Sequence, residues 1–419
     1  GVFGVTGKLT SEWAGLARRC ANAIRRALGH GGLGAGLLAL VLGLALAAPS
    51  EAGWYGGWLY RKAVTINGGN CGATPCIAAT QSNFPVLVSL AADAGLAADA
   101  QNDGDDILFT ADDGTTKLDH EIESFDGASG ALVAWVRLPS LPAGTNTTIY
   151  LYYGNLGAGP QGNPPGVWDT NFLAVWHMKE TPSGPNDIKE STGSHDGTSV
   201  NLEAGDQSAG QIDGSLTFDG VDENVSIPDH VDWTLSGGEA RTYEGWFNFS
   251  ALPGPGDWDS IIEGSGAEYG IQLNEVGGTL RLIWWDGISD KVSPAISILT
   301  GEWHHYAATV DFGVANGSHW YLDGVDQGAF TAPNVARDPN GLVLGGVDSG
   351  FDEFTGALDE VRISTTARPA SWLRTQYNNH ANQGVGSDKF LLSLATEAAP
   401  PTVNYRSIGI AADYVDVGT

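Results

Sequence analysis

The sequence predicts an all-β protein built as two β-sandwich domains in tandem. Its apolar residues fall in short runs rich in Val, Ile, Thr and aromatics, each bounded by Gly, Asn, Asp or Pro. Through the first group of runs no sustained 3.6-residue apolar period competes with the strand pattern. A string of linker composition, G-A-G-P-Q-G-N-P-P-G from Gly157 to Gly166, divides the runs into two groups. A chain of 419 residues has room for about two to three domains.

Residues 1–52 read as a secretory signal peptide. Lys8, Arg18, Arg19, Arg25 and Arg26 precede an apolar run of small and aliphatic residues from Leu33 to Ala48. Small-residue cleavage contexts come next, at Ala45-Leu46-Ala47 and Ser50-Glu51-Ala52. The run is shorter than the roughly 20 residues of a spanning helix, so no membrane span is expected after cleavage; an uncleaved anchor is the alternative. Cys20 precedes the apolar run and cannot serve as a lipoprotein acceptor. The only methionine is Met178, so Gly1 is not expected to be the translational start.

The formal charge is −29, and since residues 1–52 are net basic, all of it resides in residues 53–419. A surface of that sign repels phosphate backbones, so nucleic acid is not an expected partner. It suits an exported protein, and it supplies hard oxygen ligands for Ca²⁺; solubility alone is the other reason for it.

The first unit is expected over residues 53–156. L-Y-R-K-A-V-T-I, F-P-V-L-V-S-L, D-I-L-F-T, H-E-I-E-S-F, L-V-A-W-V-R-L and T-T-I-Y-L-Y-Y read as strands. In the fifth, Leu132, Ala134, Val136 and Leu138 share one face and Val133, Trp135 and Arg137 the other. Turn signals surround Gly104, Gly114 and Gly127. Cys71 and Cys76 flank Pro75, and in an oxidising compartment they are expected to form a disulfide. A metal site there would need further His or Cys ligands, and none is nearby. The run from F-P-V-L-V-S-L through L-D-H-E-I-E-S-F to T-I-Y-L-Y-Y-G-N resembles the bacterial domain of unknown function 2341. That resemblance implies a domain standing just before a laminin-G-like one, in some proteins together with MotA/TolQ/ExbB-type proton channels, and no established activity.

A linker over 157–170 leads to the second unit, 171–396. It opens with F-L-A-V-W-H-M-K-E and continues through the hairpin S-L-T-F-D-G-V-D-E-N-V-S-I-P. From Glu302 to Ser364 run E-W-H-H-Y-A-A-T-V-D-F, H-W-Y-L-D-G-V, G-L-V-L-G-G-V and F-T-G-A-L-D-E-V-R-I-S, with Asp323-Gly324 as a tight hairpin turn. These pieces, in this order, resemble the laminin-G-like/concanavalin A-like jelly rolls of bacterial surface proteins, and they imply a two-sheet sandwich. Pro369 and S-W-L-R-T-Q-Y-N-N start a short helix, and F-L-L-S-L-A-T returns as a last strand. Residues 397–419 are a tail or the start of a further domain.

Asp359 is the most informative carboxylate. Simple alternation puts it on the face of Val361 and Ile363, away from Glu360 and Arg362. A carboxylate on an apolar face needs a cation or donors. Laminin-G-like domains often hold Ca²⁺ at the sandwich edge, and the resemblance makes Asp359 a ligand, with Asp219 and Asp222 beside it; an Arg salt bridge or backbone amides are the alternative. Asp103, Asp105, Asp106, Asp112 and Asp113 lack EF-hand spacing and read as turn residues.

Trp284 and Trp285 must point to opposite faces of one strand. Leu280, Leu282 and Trp284 form the apolar face, leaving Trp285 outward, where it can stack on a sugar ring with Trp258 and Tyr269. Coverage by a loop or by the first unit would make it a packing residue instead. His304 and His305 belong to the resembled W-H-H strand and read as packing residues. Glycosidases of this fold carry Glu-x-Asp-x-x-Glu on one strand, and no such string occurs; G-x-S-x-G and H-E-x-x-H are also missing.

The expectation is therefore a non-catalytic protein, secreted, periplasmic or at the bacterial cell surface, that binds a glycan or an extracellular protein through its second unit. The alternative is a structural spacer of a larger envelope assembly, beside an ExbB-type channel. An atypical glycoside hydrolase is the third reading.

Overall fold

The computed structural model describes residues 52–254, 256–275, 279–347 and 352–401. The expected signal peptide, except Ala52, and residues 402–419 of the expected tail lie outside the described residues. Strands dominate what is described.

In the first unit a three-stranded sheet runs Gln81–Leu90, Ala131–Leu141, His120–Asp126, antiparallel throughout. Leu132, Ala134, Val136 and Leu138 are buried against the second sheet of this unit. That sheet has five strands, in the order Leu391–Leu394, Tyr60–Ile66, Thr147–Tyr153, Leu108–Thr110 and Lys117–Leu118. Lys62 shares the inward face of Val64 and Ile66, and its ammonium is paired with Asp93 at 2.5 Å. Such burial of a Lys is tolerable only with its counter-charge.

The second unit is a two-sheet sandwich. One sheet runs Gln207–Ala209, Gly214–Asp219, Thr355–Ser364, Ala240–Phe249, His304–Asp311, Ser318–Leu322, Val325–Phe330, with Phe172–Trp176 also paired to Thr355–Ser364. The other runs Thr198–Val200, Asn224–Pro228, Gly341–Leu344, Trp258–Gly264, Gly270–Glu275, Leu280–Trp285, Asp290–Val292. Between them lies a core that includes Trp176, Phe218, Trp233, Phe247, Leu282, Trp284, Trp320 and Leu358. The Asp323-Gly324 turn is a two-residue hairpin with φ of +51° and +67°, as its sequence requires.

Three segments depart from the linear reading. Leu391–Leu394, expected as the last strand of the jelly roll, pairs instead with Tyr60–Ile66 and adds an edge strand to the first unit. The stretch 157–170, expected as a linker, buries Val167 and Trp168 in its second half. The helix Ala370–Ala381 forms after Pro369 as expected, but its polar residues are buried. Gln81–Leu90 is a sheet edge whose backbone groups need partners. Asn379 supplies them: its Oδ1 accepts from Leu87 N at 2.8 Å and its Nδ2 donates to Leu87 O at 3.3 Å. Asn378 donates to the carbonyls of Pro75 and Cys76, beside the Cys71–Cys76 disulfide, which forms as expected. Trp372 packs edge-on to Phe84, with ring centroids 4.8 Å apart. The core of the first unit thus continues through Trp372 and Leu373 to Val175, Ile212, Ala307 and Tyr321 of the second.

Candidate carbohydrate-binding site

The outer face of the seven-stranded sheet carries the candidate site. Along Leu280–Trp285, Leu280, Leu282 and Trp284 turn into the sandwich, and Trp285 lies outward with Arg281 and Ile283, as alternation requires. Trp285 is half-buried, and its indole N–H donates to Ala267 O at 2.7 Å, which fixes the ring plane. Trp258, also half-buried, stands on the same face, opposite Asn274 in the next strand. The two tryptophans line one pocket of about 290 Å³, together with Glu263, Gln272, Asp290 and Asp352. Glu263 is held in place, accepting from Ser260 Oγ at 3.0 Å and Gln272 Nε2 at 3.3 Å. Apolar ring faces beside a few anchored polar groups are the usual furniture of a small-molecule site.

Tyr269 does not join them. It shares the inward parity of Ile271 and Leu273, is buried in the core, and donates its hydroxyl to Trp233 O at 2.9 Å. Burial, and then neighbouring Tyr243, pushes its phenol well above the ordinary value. The two-residue alternation of Y-G-I-Q-L was the signal for this.

The three predicted calcium ligands are likewise not brought together. Asp359 is fully buried, yet it is not on the face of Val361 and Ile363. Glu244 pairs with Arg362 and Trp246 with Asp359, so the Thr355–Ser364 strand holds one extra residue. Glu360 takes up the bulge with φ of +53°. Leu358, Val361 and Ile363 therefore face the sandwich core, while Asp359, Glu360 and Arg362 face the first unit. Asp359 accepts from Ile212 N at 2.8 Å, and among the described residues no guanidinium pairs with its oxygens. Burial, reinforced by Glu360, raises it well above the ordinary carboxyl value.

Asp219 and Asp222 lie elsewhere, exposed in their hairpin turn, with Asp219 paired to Thr355. They belong to an acidic rim with Glu223 and Glu353. Burial, and next Asp222, pushes Glu353 up to about 7; burial raises Glu223 to about 6, with Asp206 and Asp219 adding to it. Farther along, burial and Asp257 raise Asp259 to about 7. Among the described residues none of these carboxylates pairs with Lys or Arg. Glu353 Oε2 is buried without a hydrogen-bond donor, and Gly346 makes room for it, since a Cβ there would fall 1.9 Å away. Among the described residues these carboxylates do not bring three oxygens to ligand spacing, so the rim does not form the convergent oxygen set that Ca²⁺ requires.

Asp359 instead borders a buried charge network between the units. His177 Nδ1 bonds Glu360 Oε1 at 2.7 Å, and the ring lies 3.4 Å from Glu121 and 3.6 Å from Glu123. Burial opposes a charge on His177, but Glu360, Glu123 and Glu121 outweigh it and raise it well above its ordinary value. Arg362 reaches Glu360 Oε2 at 2.5 Å and lies over the rings of Trp135 (4.4 Å) and Trp168 (4.8 Å). Those indoles donate to Glu123 and Glu121 respectively. Glu121 and Glu123, from the E-I-E string, are thus interface residues. His305 is fully buried beside Trp246, and burial lowers it to about 3; His304 bonds Asp323 at 2.9 Å.

No curated protein sequence matches the chain. Solved structures with similar segments include domain 4 of AbnA, a GH43 extracellular arabinanase from Geobacillus stearothermophilus, described in complex with arabinotriose. It is 20% identical, with 49% of this chain and 97% of that one covered at a TM-score of 0.36. Trypanosoma rangeli sialidase is 11% identical, with 59% and 41% covered at 0.39, so the chain spans less than half of it. A SAP-like pentraxin from Limulus polyphemus is 17% identical, with 42% and 90% covered at 0.31. Scores this low carry no functional argument. At the level of families, residues 103–173 match the domain of unknown function DUF2341, and residues 219–374 match the concanavalin A-like lectin/glucanases superfamily, so the chain carries the first followed by the second.

Proposed function

We infer that the protein is a non-catalytic glycan-binding protein of the cell exterior, holding a saccharide on the face of Trp258 and Trp285. The observation that carries this is the convergence of two half-exposed tryptophans on one pocket with Glu263, Gln272, Asp290 and Asp352. An indole stacks on the C–H face of a pyranose or furanose, and the carboxylates and the amide accept and donate to its hydroxyls. The Cys71–Cys76 disulfide supports an oxidising location. No helix among the described residues is long and apolar enough to cross a membrane.

The test is a glycan array with and without EDTA, followed by Trp285→Ala. Retention on a defined saccharide class, lost in Trp285→Ala with the melting temperature kept within a few degrees, is the expected result. Binding that survives removal of both Trp258 and Trp285 would overturn the assignment.

A second reading, a rigid spacer in an envelope assembly, draws on the interlocked junction of the units: the shared core, the buried charges and the Leu391–Leu394 strand. It predicts no retained glycan and a partner protein recovered by cross-linking from envelope fractions.

A further inference from the structure

We propose that His195, His230 and Asp232 form a surface site for a first-row transition dication of the zinc class. The site is separate from the tryptophan pocket and from the acidic rim. Its ligand atoms come from two distant stretches of chain. His195 lies in the loop before Thr198–Val200, and His230 and Asp232 straddle the start of the short 3₁₀ turn Val231–Trp233. The three candidate ligand atoms all lie within 4.8 Å of one another. Asp232 Oδ2 is 3.1 Å from His195 Nε2 and 3.1 Å from His230 Nδ1. Ligands at tetrahedral zinc, with bonds of about 2.0–2.1 Å, stand roughly 3.3 Å apart. The carboxylate oxygen is therefore already at ligand spacing from both nitrogens.

His230 Nδ1 lies 3.3 Å from the exposed backbone N–H of Asp232 and 3.1 Å from Asp232 Oδ2. A dication bound by the three atoms takes the place of the protons that otherwise lie between the imidazole nitrogens and the carboxylate, and leaves the Asp232 N–H to solvent.

The framework is built on one side and open on the other. The His195 side chain is only 3% exposed, while those of His230 and Asp232 are 44% and 37% exposed. Trp176 Nε1 donates to His195 O at 2.9 Å, and Trp233 packs against the imidazole with ring centroids 4.4 Å apart. Three protein ligands with a solvent-facing fourth position is the arrangement of an open zinc site, able to take water or an exogenous donor. Two imidazoles select against Ca²⁺ and Mg²⁺ and for Zn²⁺, Ni²⁺ or Cu²⁺. The other His-carboxylate cluster, Glu123, His177 and Glu360, has no such need, because the Arg362 cation already occupies Glu360.

The experiment uses the full chain without an affinity tag, stripped with EDTA and titrated with Zn²⁺ and then Co²⁺. One equivalent of Zn²⁺ should bind, and Co²⁺ should give the intense visible bands of a four-coordinate ion. His230→Ala and Asp232→Asn alter exposed side chains and should melt like the parent in EDTA. Each should weaken Zn²⁺ at least tenfold and abolish the Co²⁺ bands, while Asp222→Asn on the rim should change neither. Absence of stoichiometric binding at about 0.1 mM Zn²⁺ would overturn the proposal. So would binding unchanged in both His230→Ala and Asp232→Asn, which would put the ion elsewhere.

Discussion

Replacing Arg362 by Met should destabilise the protein strongly, and more so at alkaline than at acid pH. The guanidinium is fully buried, pairs with Glu360 at 2.5 Å and lies over Trp135 and Trp168. Met fills much of the aliphatic volume but leaves Glu360 with His177 as its only cation. Removing one partner of a buried pair costs about 3–5 kcal/mol, mostly through the stranded charge. Two desolvated cation–π contacts add about 2 kcal/mol or more, but these overlap with the first term, so about 4 kcal/mol is expected at pH 8. The pH dependence comes from Glu360. Burial drives its carboxyl upward, but His177 and Arg362 together hold it below its ordinary value. Without Arg362 the folded-state value moves up, so the folded protein of the variant binds a proton more readily than the parent and the deficit grows with increasing pH. The deficit should therefore shrink toward pH 5. Guanidinium unfolding followed by tryptophan fluorescence at the two pH values measures it. Arg362→Met/Glu360→Gln should recover much of the loss, since an apolar or neutral replacement of both charges is often nearly neutral. A cost below about 1 kcal/mol, or one that does not vary with pH, would refute the view that this network carries buried charge across the junction.

Asp259→Asn, measured in EDTA, should stabilise the protein above pH 7 and leave it unchanged near pH 3. The folded-state value is raised to about 7, so the cost of ionising Asp259 grows from the unfolded value upward and is complete above pH 7. At about 1.4 kcal/mol per unit it is of the order of 3 kcal/mol after allowance for partial exposure. Unreduced peptide mapping should recover Cys71 and Cys76 joined in one peptide, and reduction should cost about 2 kcal/mol, as expected for so short a loop. Two alkylatable thiols in exported protein would contradict the bridge.

The fold class was legible in the sequence because strand burial is local information. Alternation alone placed Leu132, Ala134, Val136 and Leu138 inward and separated Trp284 from Trp285. The Asp323-Gly324 turn needed only its two residues, and the cysteine pair only its spacing and compartment. The same alternation, applied to Tyr269, would have assigned it to the core with Ile271 and Leu273. Asp359 departs from simple alternation for a different reason. One inserted residue, taken up by Glu360 in the left-handed region, reverses the facing of the strand before it, and no local composition marks where a bulge will fall.

What only the tertiary structure decided is the joining of the two units. Polar residues of the Ala370–Ala381 helix look solvent-facing, but Asn378 and Asn379 are buried because the first unit presents carbonyls and an unpaired sheet edge to them. Arg362 and Glu360 look like surface charges on an outer strand face, but Trp135, Trp168 and His177 cover them. His195 meets His230 and Asp232 through the antiparallel pairing of Thr198–Val200 with Asn224–Pro228. In each case the partner lies far along the chain, and pairing at that range depends on shape and charge brought together by folding, which residue periodicity does not encode.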